Sequence, residues 1–239
     1  MKIAVLGLGF IGSKLAKRLS EKHEVTGITR ENYAAASLLG AEYDVFINCA
    51  GNSKKYMAAR DPKWDFQENC VATFNTLYDF KFKRYIYLST LDVYKESIYA
   101  RSKTVAESIL VNYQRELNFE LTILRSSFIT GKDKDKGIVY DILHGQPLGI
   151  SKESKFQIIT VRGIGDFIEA ILPLHNPVMT FNLTGYLALS MTEIETILGK
   201  EGIYKEGAPT HVYDYDVSGA RAWCKIKTSE EYLRESLVE

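Results

Sequence analysis

Gly7-Leu8-Gly9-Phe10-Ile11-Gly12 follows the apolar run Ile3-Ala4-Val5-Leu6 and leads directly into Ser13-Lys14-Leu15-Ala16-Lys17-Arg18-Leu19. A glycine loop between a buried strand and a helix constrains this chain more than any other feature. The first glycine permits a tight turn, the second lets backbone approach a pyrophosphate, and the third lets helix and strand pack closely. The free N–H groups and partial positive charge of the helix start then attract an anion. The loop residues Gly7, Gly9, Phe10, Ile11 and Gly12 are therefore expected to bind a dinucleotide.

Beyond the loop, apolar runs of strand length alternate with stretches of helical period, as in βαβ units around a parallel sheet. Strands are expected near 2–6, 24–28, 44–48, 84–88 and 120–124, and helices near 10–21, 33–39, 66–80 and 99–117. Thirteen residues separate Arg30 from Asp44, room for a short helix but hardly for a further strand, so the sheet is expected to lack one outer strand. After Gly131 the turn-prone Lys132-Asp133-Lys134-Asp135-Lys136-Gly137 and short apolar segments change the character. The predicted fold is α/β, a Rossmann-type doubly wound parallel sheet with a small C-terminal subdomain. A dinucleotide-binding domain would comprise 1–127 plus 156–184, and a substrate-binding subdomain 128–155 plus 185–239; 239 residues suit this division.

The end of the second strand discriminates between cofactors, because an acidic residue there suits a ribose 2′-hydroxyl and a basic one a 2′-phosphate. Thr29 and Arg30 favour NADP over NAD; Glu31, one residue on, keeps NAD open. The 30 basic and 30 acidic residues cancel, which gives no electrostatic case for nucleic acid or an anionic membrane. No window has the apolar length of a signal peptide core or a spanning helix, and a cytoplasmic location is expected. Cys49, Cys70 and Cys224 suit reduced, buried thiols, and the histidines lack ligand spacing, so no metal is expected.

Further landmarks follow in order: Asn48-Cys49-Ala50-Gly51 ending a strand; Asn69 through Asn75 in a helix; Leu88-Ser89-Thr90-Leu91-Asp92-Val93-Tyr94; Tyr99-Ala100-Arg101-Ser102-Lys103; Leu124-Arg125 leading to Gly131; Gly165-Asp166; and Phe181-Asn182-Leu183-Thr184-Gly185. Together with the glycine loop they resemble the extended short-chain dehydrogenase/reductase family, the NAD-dependent epimerase/dehydratase group, through nearly the whole chain. The resemblance implies that Cys49, Ala50, Gly51 and Asn69 join the cofactor site. It also implies that Thr90, Tyr99 and Lys103 are catalytic, with Lys103 holding the nicotinamide ribose, and that Ser89, Asp92, Phe128 and Arg162 lie on the substrate side. A homodimer formed through the helices near 66–80 and 99–117, with Val105, Ile109 and Val111 among their apolar positions, is part of the same expectation.

The chemistry can be stated from the residues. Moving a hydride between nicotinamide and a carbinol carbon requires a proton to leave or join the oxygen. Residues four apart on a helix share a face, which puts Tyr99 and Lys103 in one cleft. A nearby lysine cation and the oxidised nicotinamide would both bring the phenol, ordinarily near a pKa of about 10, toward neutrality.

Dehydratases of the family carry an aspartate and a glutamate after the threonine; Leu91 and Asp92 stand there, which disfavours elimination of water. Only eight residues separate Thr90 from Tyr99, fewer than extended members usually have. Phe128 replaces an asparagine that contacts a sugar nucleotide, and the arginine expected before Gly165 is nearest at Arg162. The implied function is a nicotinamide-dependent reductase or epimerase acting on a sugar, nucleotide-activated or phosphorylated. The rival is a cofactor-binding sensor or scaffold without turnover.

Overall fold

β1 (Lys2–Leu6) is buried on both faces from Ile3 onward, the continuous apolar pattern of a central parallel strand. It pairs in parallel with β2 (Glu24–Ile28) on one side and β3 (Glu42–Asn48) on the other. β3 pairs in parallel with β4 (Lys81–Thr90), and β5 (Glu120–Ser126) and the strand Val178–Asn182 complete a six-stranded sheet. The order is Val178–Asn182, β5, β4, β3, β1, β2. β2 is thus an edge, as expected from the short Arg30–Asp44 connection. The computed structural model describes residues 1–175 and 178–238.

The chain divides into two compact units, Met1–Arg125 with Pro173–Phe181, and Ser126–Leu172 with Asn182–Glu239. In the first unit, α1 (Phe10–Leu19) follows the glycine loop and buries Gly12, Leu15 and Leu19. α2 (Tyr33–Leu38) joins β2 to β3, and α3 (Lys55–Arg60) follows β3. Asp61 caps the next helix by accepting from the Trp64 amide at 3.0 Å, with Pro62 at the first helical position. That helix, α4 (Pro62–Phe66), widens into a π-helical turn, Gln67–Val71, and continues as α5 (Ala72–Asp79). The expected helix 66–80 therefore begins earlier and is not uniformly α. α6 (Ile98–Glu116) starts at Ser97, whose hydroxyl accepts from the Ala100 amide at 3.0 Å. Phe46, Phe80, Tyr85, Ala106, Leu110 and Phe119 belong to one buried cluster that fastens α5 and α6 to the sheet.

The second unit contains residues 156–172, which the sequence reading assigned to the cofactor half. The reason is local pairing: Ile129–Thr130 pairs in parallel with Ile159–Thr160, Ile158 donates to Ser229 Oγ at 3.1 Å, and the Gly185 amide donates to the Ile158 carbonyl at 3.0 Å. The helix Val161–Ile171 passes so near Tyr232 that a Cβ on Gly163 would lie 2.6 Å from its ring. The helix Met191–Leu198 begins with a reciprocal capping box between Ser190 and Glu193. Among the described residues, no helix is long and apolar enough to cross a membrane, and no group of three histidine, cysteine or acidic residues could hold a metal.

Candidate active site

The three glycines of the loop have separate duties. Gly7 takes a positive φ of +86°, and a Cβ there would lie 2.7 Å from the Ala50 backbone; a Cβ on Gly12 would lie 2.2 Å from the Gly7 carbonyl. Both are small because protein occupies the space. Around Gly9 a Cβ would meet nothing within 4 Å. Gly9 is the N-cap of α1, and that helix has neither a side-chain cap bond nor an acidic residue in its first turn. Backbone donors beside open space at an uncompensated helix start fit a pyrophosphate.

Asn48 holds the next loop by accepting from the Ala50 amide at 2.9 Å while donating to Tyr85 at 2.7 Å. Gly51, at φ +118°, leaves room for Asn69, whose Oδ1 a Cβ would approach to 2.6 Å. Asn69 Oδ1 accepts from the Asn52 amide at 3.0 Å, and its Nδ2 donates to Asp65 Oδ1 at 2.8 Å and Ser102 Oγ at 3.1 Å. Ser102 Oγ in turn donates to the Tyr99 carbonyl at 3.0 Å. Asn69, expected to touch cofactor, thus has both polar atoms committed to tying the Gly51 loop to α6. Burial raises the Cys49 thiol to about 12, so it is not a nucleophile.

The short Thr90–Tyr99 connection is filled by a 3₁₀ turn, Leu91–Tyr94, and by the Ser97 cap. Thr90 Oγ1 accepts from the Asp92 amide at 3.1 Å and shares a hydrogen bond with the Tyr99 phenol. Leu91 is fully buried. Buried Asp92 pairs with Lys55 Nζ at 2.5 Å. Ser89, which points to the opposite side of the strand from Thr90, donates to Glu107 at 2.5 Å; Glu107 also receives Arg125.

Lys103 is buried, and its ammonium donates to Tyr87 Oη at 2.6 Å and the Leu88 carbonyl at 3.1 Å. Burial lowers it to about 8, with Glu107 and the groups around it pulling the other way. The Tyr99 phenol is raised above its ordinary value, first by burial and then by the Asp92 and Asp65 charges, and only the Thr90 bond lowers it. The protein alone therefore keeps Tyr99 protonated. The lowering expected from Lys103 does not appear, because the ammonium is turned toward Tyr87 and two carboxylates bear on the phenol.

At the end of β2, Arg30 extends into solvent and pairs with Glu68 at 2.9 Å, while the Thr29 hydroxyl bonds the Glu31 carboxylate. In the second unit, the Phe128 ring packs tilted against Phe156 and edge-on against Tyr213, with centroids at 4.1 and 5.8 Å. Arg162 lies 3.6 Å from Glu235. These two are placed by ring packing and ion pairing within the second unit. The reading of the sequence missed Asn52, Lys55, Asp65 and Tyr87. Asp65 stands one helical turn before Asn69 and Tyr87 two strand residues before Ser89, spacings that put each pair on one face.

Residues 3–145 match the NAD dependent epimerase/dehydratase family. Comparison with curated protein sequences finds no match. Among solved structures, UDP-glucuronic acid 4-epimerase from Bacillus cereus, in complex with UDP-glucuronic acid and NAD, is 18% identical with a TM-score of 0.83, over 100% of this chain and 98% of that one. UDP-N-acetylglucosamine 4-epimerase from Methanobrevibacter ruminantium M1 is 18% identical with a TM-score of 0.83, over 99% and 97%. RMD from Pseudomonas aeruginosa, complexed with NADPH, is 19% identical with a TM-score of 0.80, over 99% and 98%. At these identities the likeness is one of fold.

Proposed function

The chain belongs to the NAD dependent epimerase/dehydratase family, and from that premise we propose that it is a nicotinamide-dependent oxidoreductase or epimerase acting at a carbinol carbon of a nucleotide-activated sugar. The observation that carries the reading is the Thr90–Tyr99 hydroxyl pair, with Lys103 one turn along α6 and the glycine loop in the same unit. The sugar-nucleotide epimerases of the same fold support the substrate class.

When bound, nicotinamide would accept or return the hydride. The Gly9 end of α1 would hold its pyrophosphate, and Lys103 its ribose. Thr90 and Tyr99 would grip the substrate oxygen with two hydroxyls, and Tyr99 would move the proton between its Oη and that oxygen. A phenol kept protonated by burial is set to give its proton to a carbonyl oxygen, the reductive half of the reaction. Asp92, anchored by Lys55, holds Thr90 in place. Leu91 has no proton to give, so elimination of water is not part of the proposal.

NADP is the proposed cofactor, received by the exposed Arg30, since Glu31 is occupied by Thr29. The proposal includes a cytoplasmic location, in keeping with three cysteines held as thiols. It also includes a homodimer through α5 and α6, where Tyr78, Val105 and Val111 are exposed; Ile109 instead packs against the core.

Two observations favour a second reading, a cofactor-binding sensor without turnover: Lys103 is turned to Tyr87, and the Tyr99 phenol is raised rather than lowered. The deciding experiment is incubation with NADP or NAD and a panel of UDP-sugars and sugar phosphates, following absorbance at 340 nm and the sugar by NMR. Hydride transfer or sugar inversion with any of them supports the enzyme. Tight cofactor binding with neither supports the sensor.

A further inference from the structure

Lys103 has one side-chain hydrogen-bond partner among the described residues, the hydroxyl of Tyr87. Of the titratable groups that bear on it, Glu107 is engaged by Ser89 and Arg125, Asp65 Oδ1 by Asn52 and Asn69, and Cys49 and Cys70 are thiols raised by desolvation. Tyr87 is fully buried in β4, and its phenol also bonds buried Thr73 of α5. One phenol thus joins three elements beneath the lysine. A buried ammonium has lost its water, and each acceptor that replaces it favours the charged form.

We propose that Tyr87 is the positioning residue of this site, a buried hydroxyl that keeps the Lys103 side chain charged and ordered while itself touching neither cofactor nor substrate. The inference rests on the reading of Lys103 as the residue that holds the cofactor. Tyr87→Phe keeps the ring that packs the core and removes the hydroxyl with its bonds to Lys103 and Thr73, so the core stays filled while the ammonium loses its side-chain partner. Losing a hydrogen bond to the charged amine shifts its ionisation by about one to two pH units.

The experiment measures NADPH affinity by fluorescence from pH 6.5 to 9.5, in wild type, Tyr87→Phe, Lys103→Met and the double variant. Wild-type binding is expected to weaken through a midpoint at about 8, where Lys103 deprotonates. Tyr87→Phe is expected to move that midpoint down by about one unit, with binding near pH 8 up to about tenfold weaker and little change at pH 6.5. In the Lys103→Met background the second substitution is expected to add nothing, since a residue acting through another is silent when that other is gone. An unchanged midpoint, or an equal loss in the Lys103→Met background, overturns the proposal. NMR of protein labelled with 13C at lysine Cε follows the same amine without cofactor. If no cofactor binds, the function proposed above fails, while an amine that titrates alike in wild type and Tyr87→Phe separately sinks the role given to Tyr87.

Discussion

Asn69 donates to Asp65 Oδ1 at 2.8 Å across the turn that leads into the π-helical segment, and Asn52 donates to the same oxygen at 2.7 Å. Asp65 is wholly buried, and its other oxygen has no partner among the described residues. The carboxylate is thus the knot between the Gly51 loop and the helix of Tyr99. Asp65→Leu leaves two buried amides short of an acceptor and is expected to cost about 2–4 kcal/mol in a urea melt. Asp65→Asn keeps one acceptor and removes a buried charge, so it is expected to cost about 1 kcal/mol or less.

Gly9 and Gly12 separate binding from folding. Gly12→Ala drives a methyl group into the Gly7 carbonyl and is expected to destabilise the protein by about 1–3 kcal/mol. Gly9→Val meets open space, so its melting temperature is expected to stay within a degree or two of wild type while cofactor affinity falls at least tenfold. Calorimetry and NADPH fluorescence on the two variants check the contrast.

Arg30 stands free of the sheet at the end of β2, and its ion pair with Glu68 is exposed enough to contribute little to folding. Arg30→Ala is expected to weaken NADP about tenfold or more and to leave NAD binding and thermal stability nearly unchanged. Titrating both cofactors against both proteins reads the result.

Lys103 also leaves a mark on stability. Its folded pKa, about 8, lies below that of an unfolded lysine, so between these values the unfolded chain binds more protons and stability from this group rises with pH. The Cys49 and Cys70 thiols, raised in the folded state, act in the opposite sense over the same range. The readout is therefore the difference between wild type and Lys103→Met. From pH 7.5 to 9.5 wild type is expected to gain on the variant by up to about 1 kcal/mol per pH unit, measured by chemical denaturation.

What could be read in advance followed the strength of local signals. β1 and β2 begin and end where the apolar runs do, because a strand closed by a glycine or hydroxyl loop has sharp edges in sequence. The helix at 66–80 was harder: Asp61-Pro62 carries its true start, and a π turn leaves the helical period almost intact. That residues 156–172 pack in the second unit was not legible, because the pairing that holds them, Ile129–Thr130 with Ile159–Thr160, is two residues long and has no alternation to detect. That Thr90 meets Tyr99, with Lys103 one turn along α6, was legible from spacing and strand context. Asp65, Asn52 and Tyr87 were not, since a buried polar side chain is defined by partners that only the tertiary fold supplies.

The central claim is that Tyr99 moves the proton when hydride passes between nicotinamide and a sugar carbon. Its most direct test is the 340 nm absorbance of wild type and Tyr99→Phe mixed with cofactor and the sugar nucleotide found to react with wild type. Tyr99→Phe is expected to bind cofactor within about threefold of wild type and to transfer hydride at least about 10²-fold more slowly. Equal rates in the two proteins would contradict it.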